Sequence, residues 1–199
     1  MKNIYILVIF LVLLSGCSTT KPTVIEYKLS LRDLDKNSVS KGCQDKSLKV
    51  SQAFSSSSLM SLNMNYILGG SKIYSYSQAQ WNNSPNQEIT SQIVQLLREA
   101  KLFKTTQSSK SRSVSDYILE TTIEDFMQYY DEKITTSYVN VSIHMSLIDV
   151  KTNKVVASKR FVKRIKTKSL DAEGGVKALD MALKDILKES LKFLDGVCK

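Results

Sequence analysis

One histidine, three cysteines and 19 acidic residues are the chain's stock of strong acid–base and metal-binding side chains. His144 falls on the polar side of the alternating run Val139–Leu147, so it reads as a solvated surface group. A zinc site needs clustered Cys and His ligands at short spacing. No such spacing exists, and neither a metal nor a cofactor is expected. Glu124 and Asp125, like Asp131 and Glu132, are adjacent on the chain. Neighbours in an unbroken strand point to opposite faces, so these carboxylates read as strand-end or turn groups. No set of nucleophile, base and orienting group assembles from these residues. No catalytic residue is assigned, and no enzyme is expected.

Charge chemistry is better represented. The run Lys159-Arg160-Phe161-Val162-Lys163-Arg164-Ile165-Lys166-Thr167-Lys168 is the densest charge feature of a chain carrying a formal +9. As a strand it places Arg160, Arg164, Lys166 and Lys168 on one face with Val162, and Lys159, Phe161, Lys163 and Ile165 on the other. Two readings stay open: a solvated face, or a docking stripe for an acidic partner or lipid headgroups. The overall balance points the same way, towards anionic partners of some kind.

Cys17 has a different setting. Lys2 precedes an uncharged, almost wholly apolar run from Ile4 to Leu14. A spanning helix needs about 20 such residues, whereas the apolar core of a secretory signal needs about 7–15. The run ends in Leu14-Ser15-Gly16-Cys17, which resembles the lipobox of bacterial lipoprotein precursors. The competing reading is an ordinary signal or anchor with an incidental cysteine; small Gly16 directly before Cys17 favours the lipobox. The resemblance implies that the Cys17 thiol is acylated and that the chain is cut just before it. Residues 1–16 are then a signal peptide, 17–23 a lipidated tether and 24–199 a folded domain. Ser18, rather than Asp, follows the acylated position, which resembles lipoproteins sent to the outer membrane to face the periplasm. Acyl chains gain about 0.8 kcal/mol per buried CH₂, so the folded part need not touch lipid to stay at the membrane. Export also removes nucleic acid as a partner. Cys43 and Cys198 remain, an even number in an oxidising compartment. They read either as one disulfide or as two free thiols.

The elements that position these residues follow from periodicity. Val24 to Ser30 alternates as a half-buried strand, and polar Leu31 to Ser47 reads as a loop with Cys43 inside it. Leu48 to Phe54 reads as a strand, followed by a loop at Ser55–Ser58. Asn63–Leu68 and Lys72–Gln78 flank Gly69-Gly70-Ser71 as a hairpin. Ser84, Pro85 and Gln87 predict an N-cap, a first helical position and a capping box. Ile89, Ile93, Leu96, Leu97 and Ala100 then share one helical face ending near Lys101. Thr105 to Ser115 reads as a loop. Tyr117–Ile123, Val139–Leu147 and Val155–Lys166, with a turn at Asp149–Lys154, form an antiparallel meander with one wet face. Asp171 to Leu194 is a second amphipathic helix, with Gly174 and Gly175 weakening its first turn. The expected fold class is α+β: one layered domain with a mainly antiparallel sheet and two amphipathic helices on one face.

Taken together, residues 24–194 resemble the ABC-type transport auxiliary lipoprotein family, the PqiC-like proteins. The resemblance rests on Tyr27-Lys28-Leu29, on Ile73-Tyr74-Ser75-Tyr76 leading to Trp81 and Pro85, and on helix 88–100 with Leu102-Phe103 behind it. Tyr117-Ile118-Leu119, Ile143–Asp149, Phe161 and the closing helix add to it. Where the family pattern often has two prolines after the tryptophan, Ser84-Pro85 supplies one. The resemblance implies an envelope lipoprotein working with an ABC transporter system whose periplasmic component carries an MCE domain, in lipid movement that maintains the envelope. It also implies self-association as a homo-oligomer. Tyr76 and Trp81 read either as interface aromatics or as packing beneath the first helix. The alternative of another class is a structural or regulatory envelope lipoprotein, plugging a barrel assembly factor or activating a wall synthase.

Overall fold

Val139, Val141, Ile143, Met145 and Leu147 each expose none of their surface, while Asn140, His144 and Ser146 on alternate positions stay half-open. That alternation makes a strand with one dry and one wet side, and the rest of the fold is arranged around it. The computed structural model describes residues 23–30 and 42–198; Cys17 and the expected signal lie outside the described residues. The elements are β1 (Ile25–Tyr27), β2 (Cys43–Val50), β3 (Phe54–Ser55), β4 (Asn63–Leu68) and β5 (Lys72–Trp81). There follow α1 (Pro85–Ala100), β6 (Phe103–Ser108), β7 (Tyr117–Tyr130), β8 (Ser137–Asp149), β9 (Lys154–Lys166) and α2 (Ala172–Val197).

Strand β7 is the axis of a single mixed sheet. On one side it pairs antiparallel with β8 along its whole length, and β8 pairs antiparallel with β9. Its other side is shared by three strands, all parallel to it: β2 at Tyr117–Leu119, β3 at Thr122–Ile123 and β4 at Gln128–Tyr130. Strand β6 extends β2 in parallel, and β5 turns back on β4. Strand β1 then lies parallel to β5. The fold is α+β, and the expected meander supplies most of its paired length. The parallel pairings are additions that periodicity did not reveal. Two boundaries also move. Residues Cys43–Ser47 and Thr105–Ser108, read as loop, are strand because they pair with each other in β2 and β6.

Both helices supply apolar stripes to one core. Helix α2 buries Val176, Leu179, Leu183, Ile186, Leu187 and Leu194, each side chain gaining roughly 1.5–3 kcal/mol of transfer free energy. Asp171 caps it, its carboxylate accepting from the Gly174 amide at 2.7 Å. The two early glycines are a close-approach device rather than a defect. A Cβ on Gly174 would sit 2.3 Å from Ser169 Oγ, and one on Gly175 would sit 1.9 Å from Gln128 Oε1. Helix α1 begins at Pro85 as expected, but the capping box does not form. The Ser84 hydroxyl makes no cap bond; its carbonyl takes the Gln87 and Glu88 amides at 3.0 Å. Lys101, at φ 53°, ends the helix in the left-handed region. Among the described residues no helix is long and apolar enough to cross a membrane.

Candidate docking surface

The sheet face away from the helices carries the charge chemistry, and a bulge in β7 makes this possible. Residues before the bulge alternate with Leu119, Thr121 and Ile123 buried; after it, Phe126, Gln128 and Tyr130 are buried. The register shifts between Ile123 and Asp125. One extra residue in a strand re-aims its neighbours, so Glu124 and Asp125 both reach partners on the outer face. This corrects the expectation that the adjacent carboxylates would not share a face. The signal was present as the change of parity between Ile123 and Phe126.

Glu124 accepts from the Ser142 hydroxyl at 2.7 Å and from Arg160 Nε across two strands. Ser142 first, then Arg160, hold its carboxyl below the usual carboxylate range. Asp125 accepts from Asn140 at 2.7 Å and from the Tyr129 hydroxyl at 2.5 Å. Burial, then that bond to Asp125, pushes the Tyr129 phenol up, so it stays a donor. The Tyr129 ring stacks on Tyr138 with centroids 5.1 Å apart and planes 2° from parallel. Arg164 lies over Tyr138, 4.3 Å from its centroid, a cation–π contact.

Arg160, Val162, Arg164 and Lys166 therefore share the outer face, as the alternation requires. Lys168 does not join them. Strand β9 ends at Lys166, Thr167 turns inward to bond Ser137, and Lys168 sits beside α2 at a shallow groove of about 300 Å³ with Lys177, Asp180 and Lys184. The inner face of β9 packs Phe161 against Phe193, with Lys163 pairing Glu189 at 2.5 Å. Side chains of Arg160 and Glu124 are 61% and 35% exposed; ion pairs of that exposure contribute about 0–1 kcal/mol. The outer network sets which way the cations point more than it holds the sheet together.

His144 occupies this face as well. Its Nε2 is 2.7 Å from Ser158 Oγ, and Ser158 is 3.1 Å from Ser146 Oγ. The first contact is one a nucleophile and base would make. Glu124, on the neighbouring part of β7, is turned to Ser142 and Arg160. Among the described residues no group of His, Cys, Asp and Glu side chains converges to hold a metal.

The remaining predicted sites lie elsewhere. Cys43, at the start of β2, is joined to Cys198, just past α2, with Cα atoms 5.1 Å apart. Trp81 is 4% exposed and packs against Phe126 at 6.0 Å. Tyr76 sits in a cluster with Tyr66 and Tyr130, with hydroxyls of Tyr76 and Tyr130 2.6 Å apart. Trp81 is thus buried, whereas Tyr76 is half-buried within its cluster. Gln128, which sequence reasoning missed, joins this cluster: it accepts from Tyr76 at 3.0 Å and donates to Tyr130 at 2.8 Å and Ser137 at 3.0 Å.

The α+β scaffold thus presents a sheet face dressed in cations and stacked aromatics. The chain belongs to the family described as the ABC-type transport auxiliary lipoprotein component, whose model matches residues 27–189. As a member it is a lipoprotein anchored in the cell envelope and an auxiliary component of ABC-type transport. The crystal structure of a Xanthomonas campestris protein of the family model DUF330 is similar, with TM-score 0.78 at 16% identity over 87% of this chain and 96% of that one. A crystal structure of an uncharacterised protein has TM-score 0.65 at 15% identity over 86% of this chain and 98% of its own. At such identities the likeness is one of fold. No curated protein matches the sequence.

Proposed function

We propose that the chain is the docking subunit of an ABC-type system that moves lipid through the envelope. Acylated Cys17 holds it at the outer membrane facing the periplasm, and the folded domain receives an MCE-domain periplasmic protein. The observation that carries this reading is the family match across residues 27–189. The outer face of β7, β8 and β9 supports it, since it offers cations and aromatic surface for contact. Self-association is part of the proposal, copies gathering around the same periplasmic partner.

Co-isolation from detergent-solubilised membranes, at native expression, tests the assignment. An ATPase, a permease and an MCE-domain protein are expected in the recovered complex. Consistent recovery of wall synthases or a barrel assembly factor without any MCE protein would overturn it in favour of a structural or regulatory role.

A further inference from the structure

Strand β9 is an open edge. It pairs with β8 only, and among the described residues no strand runs along its other side. It is 13 residues long, and its register with β8 is unbroken from Ala157 to Lys166. Edges of this length are templates for strand addition unless proline, a bulge, a covering element or charge protects them. Strand β9 contains no proline; α2 packs against its inner face, and between Ala157 and Lys166 the strand carries five cations, Lys159, Arg160, Lys163, Arg164 and Lys166. Glu124 neutralises Arg160 and Glu189 neutralises Lys163. Lys159, Arg164 and Lys166 have no carboxylate partner among the described residues, the first lying over Phe161 and the second over Tyr138.

This pattern discriminates among occupants. A second copy of β9 would set like charges opposite one another, which is destabilising. Among the described residues the other sheet edges do not complement it. Strand β1 is three residues long, and β6 carries Lys104 as its only charge, with the Thr106 carbonyl already taken by Arg98 at 2.9 Å. A flat lipid surface reaches only one side of the strand, whereas the cations are divided between the outer face and the α2 side.

We propose that β9 takes an added strand from a partner protein: an extended segment rich in Asp and Glu. Its acids face Arg164 and Lys166 on the outer side and Lys159 on the α2 side, and an apolar residue covers Val162, which is 49% exposed. Main-chain hydrogen bonds supply the affinity in such additions and side chains the choice of partner. The inference rests on the docking reading and gives that reading its partner chemistry.

Amide hydrogen exchange on the full lipoprotein in detergent tests it. The probe is a synthetic extended peptide with glutamates on both faces, placed to oppose Lys159, Arg164 and Lys166, and a valine to oppose Val162, at millimolar concentration. Amides within 154–166 slow on addition, and the same peptide N-methylated at every second residue has no effect. The Arg164→Glu, Lys166→Glu double variant, with its fold checked by Trp81 fluorescence, binds roughly tenfold more weakly, as expected for reversing two exposed charge contacts. Absence of slowing in β9 overturns the proposal. So does equal binding of the N-methylated peptide, which would make the contact one of charge without strand addition. Slowing by phosphatidylglycerol vesicles and not by the peptide would assign the cations to a membrane instead. Co-isolation reads partner identity and this experiment reads strand addition, so either can fail while the other stands.

Discussion

Reduction of the Cys43–Cys198 bridge should cost this domain a large share of its stability. The two residues are 155 apart in sequence, so the bridge closes almost the whole folded chain into one loop. Loop-closure entropy for that separation amounts to about 5 kcal/mol, against a typical total of about 5–15 kcal/mol. The bridge ties the first residue of β2 to the end of α2, and the approach is close enough that a Cβ on Gly42 would lie 2.2 Å from the Cys198 carbonyl oxygen. Trp81 is the chain's one tryptophan and is 4% exposed, so its fluorescence reports core exposure. In urea, with a slope of roughly 2 kcal/mol per molar, the unfolding midpoint should fall by roughly 2.5 M on reduction. Cys198→Ser should show the same loss. If the reduced and oxidised midpoints coincide, or if mass spectrometry finds both thiols alkylated in the native protein without reductant, the reasoning fails.

Three further outcomes follow from close contacts and carboxylates. Gly175→Ala should destabilise the start of α2, since its new Cβ meets Gln128 Oε1; adding Gln128→Ala should return part of that loss, a coupling that a double-mutant cycle in urea measures. Asp180 is raised above the usual carboxylate range, chiefly by burial. A raised folded-state pKa means stability falls as pH rises from about 4 through that value. Asp180→Asn keeps an acceptor for the Ser30 amide, 2.8 Å away, and should gain stability relative to the native chain over the same rise in midpoint titrations. Asp131 is pulled down to about 2, first by the Thr136 amide and then by the Thr135 hydroxyl. Its contribution to the β7–β8 turn is present above about 4 and lost as pH falls through about 2. NMR of the Thr135 and Thr136 amides should show the native turn persisting to that lower limit, and Asp131→Ala should lose it at neutral pH.

Elements whose partners are near in sequence were legible. Strand β8 announced itself through five alternating apolar residues, the β4–β5 hairpin through Gly69 and Gly70 at positive φ, α1 through Pro85 and its stripe, and α2 through its long apolar face. Strand β6 was not legible: Phe103–Ser108 is polar and serine-flanked, and it is a strand only because β2, some 60 residues earlier, lies beside it. The three parallel pairings along β7 have the same cause, since no local pattern encodes a neighbour so distant in sequence. On the outer face, alternation correctly grouped Arg160, Val162, Arg164 and Lys166. It placed Lys168 wrongly because nothing local marks Thr167 as the residue that leaves the strand. Glu124 and Asp125 were missed because a bulge breaks the two-residue period on which face assignments depend. The packing of Trp81 against Phe126 was not legible either, being a contact between separate strands.

Site-specific photo-cross-linking in living cells tests the central claim most directly. A photoreactive residue at Val162, on the exposed outer face of β9, is compared with one at Lys188, on the exposed side of α2. The account predicts a covalent adduct between position 162 and an MCE-domain periplasmic protein, with little from position 188. Adducts to wall synthases at 162, or an MCE adduct that forms equally from both positions, would contradict a docking surface on the open sheet face.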